Sequence, residues 1–116
     1  MTETITRDAL VAKIESRRKP ILVETLPANY YRQAHLPGAI NIPHDAVDAL
    51  APRLLPDKTA EIVVYCASAT CRNSDYAAGR LTALGYANVR SYVAGKADWI
   101  EAGLAVETGD SANAAA

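Results

Sequence analysis

Apolar positions along this chain follow two rhythms, and their alternation predicts an architecture before any chemistry is considered. Leu10, Val11 and Ile14 recur at helical spacing behind Thr6, whose hydroxyl can accept an orphan amide, while Asp8 places negative charge in the positive first turn. After the basic stop Arg17-Arg18-Lys19 and the breaker Pro20, the run Ile21-Leu22-Val23 is too short and too continuous for a helix and predicts a buried strand. Pro27 ends it and opens a short helix through Tyr30 and Tyr31. His35-Leu36-Pro37-Gly38 sets a turn before the brief strand Ile40-Asn41-Ile42, which Pro43 closes.

The second half repeats the alternation. A helix is expected from about His44 to Leu50, with Ala46, Val47 and Leu50 inward, and Pro52, Pro56 and Asp57 are expected to break the chain beyond it. Glu61-Ile62-Val63-Val64-Tyr65-Cys66 is β-branched and apolar without alternation, the pattern of a central parallel strand covered on both faces. Ala77, Leu81 and Leu84 place a helix over Arg72 to Leu84, and Gly85 stands where a left-handed cap is wanted. A strand from Val89 to Val93 comes next, then a turn at Gly95 and a last helix around Ala97 to Ala102, anchored by Trp99 and Ile100. Strands alternating with helices predict an α/β domain with a mainly parallel sheet over residues 1–108. The small polar tail 109–116 is expected to be disordered.

Composition narrows the function classes. With 50% hydrophobic residues in 116, one core forms without disulfide or metal staples. Twelve Lys and Arg against 13 Asp and Glu, a net charge of −1, supply no basic excess for a nucleic-acid backbone or an anionic membrane surface. The longest apolar runs, Ile21 to Val23 and Ile62 to Cys66, fall far short of the roughly 20 residues that cross a bilayer. Met1-Thr2-Glu3-Thr4 has no secretory pattern, so the expected compartment is a reducing cytoplasm in which thiols stay free. No pattern specifies an oligomeric state.

Both cysteines, Cys66 and Cys71, fall between the central strand and the next helix. In a parallel α/β sheet, ligands bind beyond the carboxyl ends of the strands, where helix N-termini point their amides. Ala67, Ser68, Ala69, Thr70 and Cys71 are small and uncharged, so their amides are expected to cradle an anion and to lower the pKa of the Cys66 thiol. Arg72 would then clamp anion oxygens from the first helical turn. A cysteine in this place otherwise reads as a small apolar residue closing a strand. The uncharged loop, the arginine and the helix start together favour Cys66 as a nucleophile.

From Pro20 to about Val106 the chain resembles the rhodanese-like superfamily. The residues that carry the likeness are Ile21-Leu22-Val23-Glu24, Tyr30-Tyr31, Ala34-His35-Leu36-Pro37-Gly38-Ala39-Ile40-Asn41-Ile42-Pro43, Val63-Val64-Tyr65-Cys66, Leu84-Gly85-Tyr86, Asn88-Val89, Gly95-Lys96-Ala97-Asp98-Trp99 and Gly103-Leu104. The resemblance implies a five-stranded, mainly parallel sheet with helices on both faces. It also implies that Cys66 attacks a sulfane sulfur from thiosulfate or another persulfide donor, holds it as a persulfide and passes it to cyanide or a thiol. The partners implied are thus a small-molecule sulfur donor and a thiol acceptor, with no metal or organic cofactor.

The chain departs from the family pattern at three points. Glu24-Thr25-Leu26 replaces the usual Asp-Val-Arg, so the ion pair common there is absent or rebuilt around Glu24. Where an arginine commonly stands five residues after the nucleophile, this chain has Cys71, followed by Arg72. Read as Cys-x5-Arg, the loop matches cysteine phosphatases, so a phosphatase or arsenate reductase is an alternative. A non-enzymatic sensing module is the third reading, although its usual sign is loss of the nucleophile.

Cys71 carries two readings of equal weight: a resolving thiol that attacks a persulfide or sulfenate on Cys66, or a small filler at the helix start. A zinc site is disfavoured, because the cysteines, His35 and His44 lack paired ligand spacing. His35 is expected to be structural, near the Pro-Gly turn. Ser68, Thr70 and Ser74 serve either as donors to the anion or as loop and cap residues, and Tyr30, Tyr31 and Tyr76 as core or rim packing.

Overall fold

Five parallel strands form the sheet in a computed structural model that describes residues 3–109; in spatial order they are β1 (Glu3–Thr4), β5 (Val89–Tyr92), β4 (Ile62–Tyr65), β2 (Ile21–Glu24) and β3 (Ile40–Asn41). At its centre is β4, paired with β2 on one side and β5 on the other; every residue of β4 is buried. Its lack of alternation has a direct cause, since both faces of the strand meet helices. Ile62 and Val64 join Val23 in a core against α3 (Val47–Leu54) and α4 (Asn73–Ala83), while Val63 and Tyr65 join Leu22 and Tyr92 in a second core with α1 (Arg7–Glu15), α2 (Ala28–Gln33) and α5 (Gly95–Glu101).

Local signals set the helix ends. Thr6 Oγ1 accepts the Ala9 amide at 3.2 Å, the predicted cap of α1. Gly85 (φ 100°) ends α4: its amide reaches Thr82 O at 3.0 Å and the Tyr86 amide reaches Leu81 O at 3.1 Å, so the last carbonyls are satisfied as a left-handed cap requires.

The structure corrects one of these expectations and adds a strand that none of them named. Pro52 does not stop the third helix, which begins as a 3-10 turn at His44–Ala46 and runs as α3 through Leu54. Val47, Ala51 and Leu55 are buried on its inner side, and Tyr86 Oη donates to Ala51 O (3.1 Å) and Leu55 O (2.5 Å), so packing outweighs the one backbone bond that proline removes. The first strand, β1 (Glu3–Thr4), has no periodicity to announce it; it pairs with Arg90 and Ser91 of β5, and Arg90 lies 3.4 Å from Glu3. Beside the edge strand β3 (Ile40–Asn41), His35 stacks on Tyr31 at 3.8 Å and exchanges backbone bonds with Glu107, which ties the segment after α5 to the Pro-Gly turn. Of the tail 109–116 only Gly109 is described, its amide bonded to Arg32 O; positions 110–116 lie outside the described residues. No described helix is long and apolar enough to cross a membrane.

Candidate active site

Cys66 closes β4, and its carbonyl, rather than its side chain, shows how the site is held. The Lys96 amide donates to Cys66 O and the Ala97 amide to Ala67 O, both at 2.8 Å, so the start of α5 grips the peptide on which the thiol is mounted. That approach needs a glycine. At Gly95 (φ 76°) a Cβ would stand 2.8 Å from both Cys66 O and the Ser68 nitrogen.

Residues 67 to 72 curl over the sulfur instead of splaying away. The Cys71 amide donates to Ser68 O at 3.1 Å, and the Ser68 and Thr70 hydroxyls are 3.1 Å apart, leaving Ala69 and Thr70 as the exposed tip. Beneath this loop Cys66 is only 1% exposed. Its Sγ lies 3.4 Å from Cys71 O, 3.6 Å from Ser74 Oγ and 4.0 Å from Ser68 O.

Two polar relays end on the sulfurs. Ser91, fully buried in β5, donates to Ser74 Oγ at 3.2 Å, leaving the Ser74 hydroxyl proton free to serve the Cys66 sulfur, which the Ser74 amide also faces. Cys71, half-buried, has its thiol near enough to that of Cys66 for each to shift the other's ionisation, and the amides of Asn73 and Ala67 are directed at it.

This distribution reverses the expected electrostatics. Burial pushes the Cys66 thiol up, as does its bond to Cys71, and the Ser74 donors do not offset them. Burial acts upward on Cys71 too, yet the donors from Cys66, Asn73 and Ala67 outweigh it and bring that thiol below its ordinary value. The loop amides therefore serve the outer sulfur first. Nor does the guanidinium of Arg72 stand as expected: its side chain is 89% exposed and faces Asp75 at 3.9 Å.

Behind the site, Glu24 is fully buried and takes the place expected for a rebuilt ion pair. Lys96 Nζ lies 3.0 Å from Glu24 Oε2 and also donates to Ala34 O (2.7 Å) and Tyr30 O (3.1 Å), while Tyr65 Oη donates to Glu24 Oε1 at 3.0 Å and accepts the Leu36 amide. Burial raises the Glu24 carboxyl above its usual range despite Lys96. Sequence reasoning missed Ser91 and the amides of Lys96 and Ala97. A serine inside a strand bordering the apolar β4 is a readable signal, because a buried hydroxyl must find a partner; contacts between residues 66 and 96 have no local signature. Among the described residues no three or more His, Cys, Asp or Glu side chains gather as a metal site would need.

Comparison with known proteins places this arrangement in context. The model of the rhodanese-like domain family matches residues 6–102. An adenylyltransferase and sulfurtransferase of Candida albicans is 31% identical over 90 residues, 74% of this chain and 20% of that protein. An HTH-type transcriptional regulator of Mycobacterium tuberculosis is 35% identical over 108 residues, 92% of this chain and 46% of the relative. The chain thus spans between about a fifth and a half of the length of these curated relatives. Among solved structures, a thiosulfate sulfurtransferase from Pseudomonas aeruginosa superposes with a TM-score of 0.81 at 25% identity, over 92% of this chain and 20% of that one.

Proposed function

The chain belongs to the rhodanese-like domain family, and on that basis we propose that it is a sulfurtransferase that carries sulfane sulfur as a persulfide on Cys66. The observation that carries the reading is the placement of one sulfur at the carboxyl end of the central strand. There it faces the Ser74 amide and hydroxyl, under a loop of small residues held from below by α5.

The mechanism follows from the paired thiols. The Cys71 sulfur ionises first and accepts the Cys66 thiol proton, so Cys66 becomes nucleophilic as it attacks without a histidine base. Attack on thiosulfate forms the Cys66 persulfide and releases sulfite, and the Ser74 donors balance the negative charge on sulfur. A thiol or cyanide then takes the outer sulfur and restores the enzyme. At 1% exposure Cys66 is reached only when the loop whose Ser68 and Cys71 carbonyls lie against its sulfur shifts, and the Cys71–Ser68 backbone bond and the Ser68–Thr70 contact hold that loop closed. The arginine that a phosphatase or arsenate reductase would need over the cradle faces Asp75 and solvent instead.

Steady-state formation of thiocyanate from thiosulfate and excess cyanide tests the proposal. Parallel double-reciprocal lines, abolished in Cys66→Ser, are expected; turnover that survives the substitution overturns it.

A further inference from the structure

The second thiol has a consequence that single-cysteine transfer does not need. Cys71 lies directly over Cys66: its carbonyl oxygen is 3.4 Å from Cys66 Sγ, the two thiols influence each other's ionisation, and both cysteines are free. It is the more exposed of the two and the one the loop amides of Ala67 and Asn73 address. A persulfide built on Cys66 would therefore have a nucleophile beside its inner sulfur before any acceptor arrives.

We propose that Cys71 resolves the Cys66 persulfide within the same chain, so that without an acceptor the protein releases its cargo as sulfide and closes a Cys66–Cys71 disulfide. This rests on the sulfurtransferase reading. In the step, Cys71 Sγ attacks Cys66 Sγ; the bond between the two cysteine sulfurs forms and the bond from Cys66 to the sulfane sulfur breaks. The sulfane sulfur leaves with the electron pair as hydrosulfide and takes up the proton of the Cys71 thiol. It is reduced, and the two cysteines are oxidised to the disulfide, so no outside oxidant is required. A dithiol reductant resets the pair. Such a chain converts sulfane sulfur into sulfide at the expense of dithiol, an outcome different in kind from handing sulfur to cyanide.

Proximity decides which fate wins. Intramolecular attack by a group already in contact outruns a dilute acceptor, whereas a concentrated acceptor intercepts the outer sulfur first. Sulfide release should therefore fall as cyanide is raised, with thiocyanate replacing it.

The test is anaerobic: reduced protein, freed of reductant, is mixed with thiosulfate alone. Sulfide is then assayed, and the protein is mapped by mass spectrometry. The wild type is expected to release about one equivalent of sulfide and to show a peptide disulfide joining Cys66 to Cys71, while Cys71→Ser, which loads more slowly without the Cys71 base and is given correspondingly longer, releases no sulfide and gains the mass of one sulfur. A wild-type persulfide that persists without sulfide or disulfide overturns the inference and leaves the sulfurtransferase reading standing. Disulfide without matching sulfide overturns it as well. If neither protein takes up sulfur or releases sulfide, the underlying reading fails, and this inference with it. The wild-type arm alone is decisive should Cys71→Ser fold poorly.

Discussion

Gly95 presses against the peptide of Cys66: a methyl group added at its α-carbon would lie 2.8 Å from the Cys66 carbonyl oxygen. The residue sits 29 positions downstream, yet it and the two amides after it fix how the cysteine is presented.

Gly95→Ala should therefore act on activity more than on the fold. Both the left-handed φ, costing about 1–2 kcal/mol for a residue with a Cβ, and the clash with backbone push the start of α5 off the Cys66 peptide. Misplacing a reacting atom by about 1 Å can cost on the order of 100-fold, and kcat/KM should fall by that order while circular dichroism stays native. Unchanged kcat/KM would show that the grip on Cys66 O does not matter.

The two thiols should titrate in the reverse of the order that sequence suggests. Cys71 lies below its ordinary pKa and Cys66 above it, so between those values Cys71 is the thiolate and Cys66 the thiol. Peptide-resolved alkylation with iodoacetamide near neutral pH should modify Cys71 at least about 10-fold faster, since the thiolate is the reacting form. In Cys66→Ala the midpoint of Cys71 labelling should move up, because a donor to its sulfur is gone. Preferential labelling of Cys66 would reverse the assignment of the shared proton.

Glu24 yields a pH dependence whose sign can be worked out. Its carboxyl is raised in the folded state, chiefly by burial, so the folded chain binds this proton more tightly than the unfolded chain. As pH rises from the ordinary glutamate value through the raised one, the group therefore removes stability instead of adding it. Other carboxylates, among them Asp48 and Glu61, are lowered and act in the opposite sense, so the contrast must be with Glu24→Gln. The stability of wild type relative to Glu24→Gln should fall across that interval in urea melts; a difference that rises with pH would mean that Lys96 outweighs burial.

Much of this fold is legible locally. Thr6, Gly85 and the unbroken apolar run of β4 each act through neighbours in sequence, and each stands where its chemistry requires. What escapes the sequence is non-local. β1 exists because Arg90 and Ser91 offer it a free edge, and α3 survives Pro52 because Tyr86 holds its last carbonyls. At the site, the loop was readable as a small-residue turn around Cys66, but the aim of its amides was not: one residue of backbone direction decides whether Ala67 serves Cys66 or Cys71. The exposed orientation of Arg72 likewise follows from the backbone at the start of α4 and from Asp75 three residues on.

Sulfur leaving its donor is the event on which the account turns, and it can be counted whatever later becomes of the persulfide. Reduced protein mixed once with thiosulfate should release about one equivalent of sulfite per chain in a burst, as covalent catalysis through a single nucleophile demands, and Cys66→Ser should release none. A burst of equal size from Cys66→Ser, or no sulfite from the wild type, would contradict it.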